Sequence, residues 1–267
     1  MPAMPVLTAS LQGIGVLGPG LDNWAAAAAV LRQEVAYQPL ATLLPAPGVL
    51  PPAERRRAGR IIKLALAVGA EAVTHARADA RTLPTVFSSS GGDGDNCHEI
   101  CVTLASEDRQ ISPTRFHNSV HNAAAGYWSI AYGCTRASTS LCAGDASFGA
   151  GMLEALALLA CGAESVLMLA YDADYPQPLR ATRDIPDAFA IALLFAPADS
   201  EHALAQLQCE LVGEPPDTLD DQHLEALRRS IPAARGLPLL HSLAHRRAGS
   251  VCLDYLDGTR LAIGVSV

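Results

Sequence analysis

Apolar runs of strand and helix length alternate along the chain with segments rich in Gly, Pro, Ser and Asp. Residues 165–170 and 189–196 are almost wholly apolar over the length of a strand, which is typical of central strands covered on both faces. Shorter β-type runs predict further strands at 6–16, 85–88, 137–141, 251–255 and 260–265. Helical patterns occupy 22–32, 53–78, 97–104, 118–132, 149–160 and 220–229. Strands that alternate with helices predict a layered α/β fold.

Five local features add detail to this prediction. Asp22 is the expected N-cap of the first helix, and the helix at 149–160 is apolar on nearly every side, so we expect it to be buried. Asp257-Gly258 between the last two strands predicts a type I′ hairpin. The Ser- and Gly-rich residues 89–95 predict a mobile turn. The arginines at 55, 56, 57 and 60 are interpreted as a solvated helix face, with a docking patch as the alternative.

Composition limits the classes of protein that this chain can be. Half of its 267 residues are apolar and 17% are charged, which excludes a disordered chain. No polar linker divides it, so we predict a single domain over residues 1–267. A net charge of -8 has the wrong sign for binding nucleic acid or an anionic membrane.

Cellular location is predicted from three further features. The apolar runs are shorter than the roughly 20 residues that span a bilayer, and the first residues lack the basic start of a signal peptide. The seven cysteines include no CxxC pair, which fits a reducing compartment. We therefore predict a soluble cytoplasmic protein with no nucleic-acid or membrane partner.

Two motifs suggest ligand sites that we do not favour. Gly13 to Gly18 matches GxGxxG, but Pro19 and Gly20 separate it from the following helix, so its amides would be displaced from a pyrophosphate. His117 and His121 would share a helical face and could ligate zinc. They lack both the glutamate of a metalloprotease helix and a third ligand. We expect hydrogen-bonded histidines in a packed interface, no metal ion and no cofactor.

The segment 138–147 joins a predicted strand to the apolar helix and contains the strongest candidates for chemistry, Cys142 and Asp145. A helix N-terminus favours negative charge. A cysteine there would have a stabilised thiolate, whereas a carboxylate would be a charge that holds the helix start.

The residues of this segment carry a resemblance to a known family. With 162–170, they resemble the nucleophile region of β-ketoacyl synthases of the thiolase fold. Residues 13–20 with Trp24 resemble the opening of ketosynthases, and 112–126 is similar to the segment that lines their dimer interface. In all, residues 6–196 resemble the N-terminal half of a ketosynthase, so the implied fold is a truncated thiolase-like α/β fold with a short C-terminal extension. The resemblance also replaces the dinucleotide hypothesis.

Two departures from the family pattern decide the expected function. Counted back from Gly162 without a gap, the nucleophile position is Asp145, and Cys142 falls three residues early, nearly one helical turn. A carboxylate is a poor acyl nucleophile, so Cys142 is interpreted as a structural thiol and a fallback nucleophile. Only about 70 residues follow 196. His241 and His245 are a faint echo of the family's catalytic histidines, without their glycine-rich context.

The chain most resembles chain-length factors, and among them the small ketosynthase-like proteins of aryl-polyene and xanthomonadin pigment clusters. This resemblance implies a non-catalytic subunit of a heterodimeric β-ketoacyl-ACP synthase that extends a polyene or fatty acyl chain. A full-length ketosynthase partner would supply the cysteine and both histidines. The acyl carrier protein would dock mainly on that partner, because this chain is itself acidic. Residues expected at the partner interface and acyl tunnel are Phe116, His117, His121 and Asn122.

Two alternatives remain open from the sequence. The chain could be a self-sufficient acyltransferase, ketosynthase or thioesterase that uses Cys142 with His117 or His121. It could also be a free-standing acyl-binding protein.

Overall fold

One mixed β-sheet organises residues 6–267, which a computed structural model describes. Its eight strands are Leu7–Leu17 (β1), Thr85–Ser88 (β2), Ser138–Leu141 (β3), Val166–Asp172 (β4), Phe189–Ala196 (β5), Ala205–Val212 (β6), Gly249–Leu256 (β7) and Thr259–Ser266 (β8). They lie in the order β3-β2-β4-β5-β1-β6-β8-β7. Strands β3, β2 and β4 are parallel, and the remaining pairs are antiparallel. The parallel strands, among them the β3 strand that precedes Cys142 and Asp145, therefore lie at one end of the sheet.

Helices flank this sheet. They are Trp24–Leu31 (α1), Pro52–Arg57 (α2), Arg60–Ala76 (α3), Gly94–Ala105 (α4), Pro113–His117 (α5), Ala123–Tyr132 (α6), Ser147–Ala160 (α7), Leu179–Thr182 (α8), Gln222–Ser230 (α9) and Leu237–Ala244 (α10). Short 3-10 turns occupy 80–82, 144–146 and 232–236. No helix in the described part of the chain is both long and apolar enough to cross a membrane.

Two apolar cores lie on opposite faces of the sheet, as its central strands require. Met168 of β4 packs into the core that contains α1, α7 and α10, whereas Leu167 and Leu169 pack into the core of α3 and α6. This alternation follows from the period of two in a strand. The predicted layered α/β fold is confirmed, with one helical layer on each face.

The glycines of the GxGxxG pattern have a packing role. A Cβ on Gly15 would lie 2.1 Å from the carbonyl oxygen of Val68, and one on Gly13 would lie 2.2 Å from that of Ala72. Strand β1 can approach α3 this closely only without side chains at both positions.

Three local predictions are wrong. The helix predicted at 53–78 is two helices, because Ala58 and Gly59 adopt extended backbone between α2 and α3. Asn23, not Asp22, caps α1, since its Oδ1 accepts the Ala26 N–H at 2.9 Å. The final hairpin is not type I′: only Gly258 has a positive φ, +72°, and a bulge between 254 and 256 adjusts the register.

Four helices and strands were not predicted at all, and the short helices α5 and α8 are two of them. The other two are β6 and α10. Strand β6 continues the sheet beyond β1, and α10 packs next to β7 on the face of the sheet that α7 also covers. The helix predicted at 118–132 begins only at Ala123.

Candidate functional site

The three parallel strands β2, β3 and β4 have their carboxyl ends on the same side, and the polar residues at these ends lie together. Loop 89–92 follows β2, Cys142 and Asp145 follow β3, and Asp172 ends β4. The carboxyl ends of parallel strands are where α/β proteins commonly place their functional groups.

Asp172 is a buried carboxylate that organises this edge. Its Oδ1 accepts the Ser90 N–H at 2.8 Å and the Ser90 hydroxyl at 2.7 Å, with the Ser89 hydroxyl at 3.3 Å. Its Oδ2 accepts the Ala233 N–H at 2.9 Å. Burial raises the pKa of Asp172 to about 6, and the hydrogen bonds oppose that rise. Asp172 thus connects loop 89–92 to the turn 232–236, so the segment whose composition predicts a mobile turn is held by hydrogen bonds.

Cys142 is exposed and its thiol is committed to a backbone partner. Its Sγ lies 3.1 Å from the Ser90 carbonyl oxygen, to which the S–H donates. A thiol that donates to a carbonyl is in its protonated, weakly nucleophilic form. No histidine nitrogen of the described residues hydrogen-bonds to this sulfur.

The two histidines do not share a helical face. Helix α5 ends at His117, and His121 lies in the turn before α6, which removes the geometry on which a zinc pair depended. The His121 Nε2 lies 3.0 Å from the Leu141 carbonyl oxygen; because a carbonyl only accepts, this nitrogen carries the proton. His117 is exposed and packs edge-on against Tyr127, with ring centroids 6.2 Å apart. Within residues 6–267, no group of three or more His, Cys, Asp or Glu could hold a metal ion.

Asp145 is half-exposed and faces two arginines. The Arg235 Nη2 donates to its Oδ2 at 3.1 Å, and the Arg183 Nη2 donates to its Oδ1. The expected hold of Asp145 on the helix start is wrong: Asp145 lies within the 3-10 turn 144–146 that leads into α7, and no side chain, its own included, caps that helix. Instead the Ser147 hydroxyl accepts the Ala143 N–H at 3.1 Å and donates to the Gly144 carbonyl at 2.7 Å.

The residues expected at an interface belong to the stretch of chain that connects β2 to β3. Phe116 is 69% exposed, and His117 and Asn122 are exposed beside it in sequence, while His121 is half-buried against the end of β3. Other exposed large apolar side chains belong to the same stretch of chain: Val102, Leu104, Val120 and Ile130. Strand β3 itself is the edge of the sheet.

Sequence reasoning missed Asp172, Arg183 and Arg235. Asp172 had a usable signal, since it is the one carboxylate within β4, an otherwise uncharged buried strand that pairs with β2. Arg183 and Arg235 had none, because 38 and 90 residues of chain separate them from Asp145.

A comparison of the sequence with family models decides the family. Residues 23–253 match the model described as beta-ketoacyl synthase, N-terminal domain. The chain belongs to this family. The match extends past residue 196, where the resemblance seen in the sequence ended, and so includes β6 and α10 of this ketosynthase-family chain. A search of curated protein sequences finds no significant match.

Solved structures with the same fold are ketosynthases and their complexes. The ketosynthase ApeO in complex with its chain length factor ApeC from Xenorhabdus doucetiae matches at 23% identity and a TM-score of 0.75, over 97% of this chain and 99% of that chain. The ishigamide ketosynthase/chain length factor matches at 16% and 0.74, over 97% and 99%. The complex AntDE:AntF, described as a type II PKS acyl-carrier protein with its ketosynthase, matches at 12% and 0.77, over 98% and 100%. The fold is therefore the thiolase-like fold of ketosynthases.

Proposed function

We propose that this chain is the non-catalytic, chain-length-factor-like subunit of a heterodimeric β-ketoacyl-ACP synthase that extends a polyene or fatty acyl chain. The observation that carries the proposal is the pairing of Asp145 with Arg183 and Arg235, at the position that the count back from Gly162 predicts for the family's nucleophile. A carboxylate paired with two cations is a weak acyl nucleophile.

The state of Cys142 supports the same proposal. Nucleophilic catalysis by cysteine needs a base that accepts the thiol proton. The Cys142 thiol donates to a carbonyl, and the Nε2 of His121 already donates to another. A self-sufficient acyltransferase would require both groups to exchange partners before any acyl transfer, so this alternative is the weaker one.

A ketosynthase partner would pair with or cover the exposed edge strand β3. Strand β3 pairs only with β2, so its outer backbone groups have no strand partner within residues 6–267. An exposed edge strand is usually paired or covered. The exposed apolar side chains of α4, α5 and α6 add surface of the kind that protein interfaces bury. Two of the similar structures are described as a ketosynthase together with a chain length factor, which is the same kind of pair.

Carrier docking would fall mainly on the partner. The chain carries 27 acidic against 19 basic residues, so an acidic carrier protein would gain little from approaching it.

The first test of this function is co-expression with a full-length ketosynthase, followed by replacement of Phe116. We expect the two chains to co-elute, and Phe116→Ala to shift the products of the pair toward longer chains, because the largest exposed apolar side chain of the segment would no longer close the tunnel. Since Phe116 is 69% exposed, its removal should cost the folded chain little stability.

The control for this variant is Leu256→Ala, which removes a similarly exposed apolar side chain at the opposite end of the sheet. Its product lengths should equal those of the unaltered pair. Lower yield with an unshifted length distribution, for Phe116→Ala and for Val120→Ala, would leave only a stabilising role for this subunit. Failure of the chains to co-elute would contradict the proposal that they form a heterodimer.

A further inference from the structure

A second candidate site lies on the α3 face of the sheet, away from Asp145 and Cys142, which lead into α7 on the other face. It is a cavity of about 560 Å³ between α3, the end of β1 and the Pro-rich segment 43–49. This volume is within the range of small-molecule sites. None of the residues considered for the ketosynthase function lines it.

Apolar side chains form most of the walls. Helix α3 contributes Leu66, Ala67 and Ala70, and the segment 43–49 covers them with leucine, valine and proline side chains. That segment is anchored by Arg55, whose guanidinium donates to the carbonyls of Gly48 at 3.1 Å and Leu50 at 3.0 Å. The other end is held by Thr42, whose N–H donates to an Asp187 carboxylate oxygen at 2.8 Å, so both ends of the segment are fixed without a ligand.

One cation in the cavity lacks a partner. Lys63 is the only lysine of the chain, and no carboxylate oxygen of residues 6–267 lies within 4.0 Å of its ammonium group. Glu71, in contrast, is used internally: its two oxygens accept the N–H groups of Val16 at 2.9 Å and Trp24 at 2.6 Å. The asymmetry leaves an unpaired positive charge next to an apolar wall.

The charges of the cavity are separated along α3. Lys63 and Glu71 are eight residues apart on that helix, which is about 12 Å along its axis. Asp22 is the other carboxylate of the lining. It is two residues before Trp24, whose N–H donates to Glu71, so it lies at the end of the cavity that contains Glu71. A ligand anion at Lys63 would thus be attracted there and kept from both carboxylates by the apolar wall of Leu66, Ala67 and Ala70.

We propose that this cavity binds an amphipathic monocarboxylate, with the carboxylate on the Lys63 ammonium and the apolar chain along α3 toward Ala70. The charge-assisted hydrogen bond would fix the orientation, and burial of the chain would supply most of the affinity. The inference does not depend on the proposed function, because the residues involved are different.

Decanoate is a suitable probe, used with the full chain at concentrations at which the probe stays monomeric. Reductive ¹³C-methylation keeps the charge of Lys63 and gives one lysine signal, which Lys63→Met assigns. We expect decanoate to shift this signal saturably, and Lys63→Met to weaken binding measured by calorimetry about tenfold. Ala67→Trp, which fills the cavity, should abolish binding, and Arg229→Met, which removes an exposed cation on α9, should leave it unchanged.

Three results would overturn the proposal. The first is a Lys63 signal that decanoate does not move, and this readout needs no variant to fold. The second is equal affinity of the unaltered chain and Lys63→Met. The third is binding of decylamine at least as tight as that of decanoate, since the carboxylate end of the cavity would then select the ligand.

Discussion

Two carboxylates lie at the carboxyl ends of β4 and β3, the two parallel strands that flank β2, yet their surroundings are opposite. Asp172, at the end of β4, is buried and bonded to backbone and hydroxyl donors. Asp145, after β3, is 48% exposed and bonded only to the two arginines Arg183 and Arg235. The first has no cation as a hydrogen-bond partner, and the second has no backbone donor among its partners.

The difference shows which of the two positions the fold depends on. Loss of the buried carboxylate would leave amide N–H groups without acceptors, whereas loss of the exposed one would leave arginines that water can solvate. The position of Asp145 can thus hold a carboxylate at little structural cost, with the surrounding framework intact.

The largest effect is expected from Asp172→Ala. It leaves the buried N–H groups of Ser90 and Ala233 without acceptors, so we expect the free energy of unfolding in urea to fall by about 3 to 5 kcal/mol. Asp145→Ala is the matched control, with an expected loss below about 1 kcal/mol. Equal losses for the two variants would contradict the comparison.

A smaller effect is expected from pH. Because burial raises the pKa of Asp172 to about 6, the folded protein keeps a proton that the unfolded chain has already released. The contribution of Asp172 to the free energy of unfolding therefore falls as pH rises from about 4 to about 6, by at most about 3 kcal/mol, and is constant above.

Urea unfolding of the unaltered chain and of Asp172→Asn, at about pH 4 and about pH 7, isolates this contribution. Other carboxyls titrate in both proteins and cancel in the difference. A difference between the two proteins that does not change with pH would show that Asp172 keeps an ordinary pKa.

The smallest effect is expected from Asp145→Asn. It weakens two partly exposed ion pairs while keeping the shape of the side chain, so the free energy of unfolding should fall by about 0.2 to 1 kcal/mol, and by less at high salt. Product formation by the reconstituted pair should survive. Inactivation of the pair without dissociation would mean that this carboxylate takes part in the chemistry.

The sequence was most informative about strands that are fully covered. Strands β4 and β5 are buried along their whole length, so an unbroken apolar run marks them. Strand β6 is buried at the alternate positions Ala205, Leu207 and Cys209, a strand pattern that a criterion of unbroken apolar runs does not detect. Helix α10 is short and has Pro238 in its first turn. A proline suggests a loop, although the first turn of a helix tolerates it.

The candidate site was predictable only where it depends on neighbours in sequence. Cys142 and Asp145 could be selected because they lie between a strand and a helix. The contact of Asp172 with Ala233 joins residues 61 positions apart, and that of Asp145 with Arg235 joins residues 90 apart. Such partners are brought together by the order of the strands, which no local pattern specifies.

The central claim, that this chain does not supply the nucleophile, is tested most directly by the intact mass of both subunits after the pair has reacted with an acyl thioester. We expect the acyl group on the ketosynthase and none on this chain, and an unchanged rate of product formation for Cys142→Ser. Cys161→Ser, at an exposed cysteine beyond α7, is the control for loss of a thiol. An acyl adduct on Cys142, with a rate loss of several hundredfold in Cys142→Ser and not in Cys161→Ser, would contradict the account.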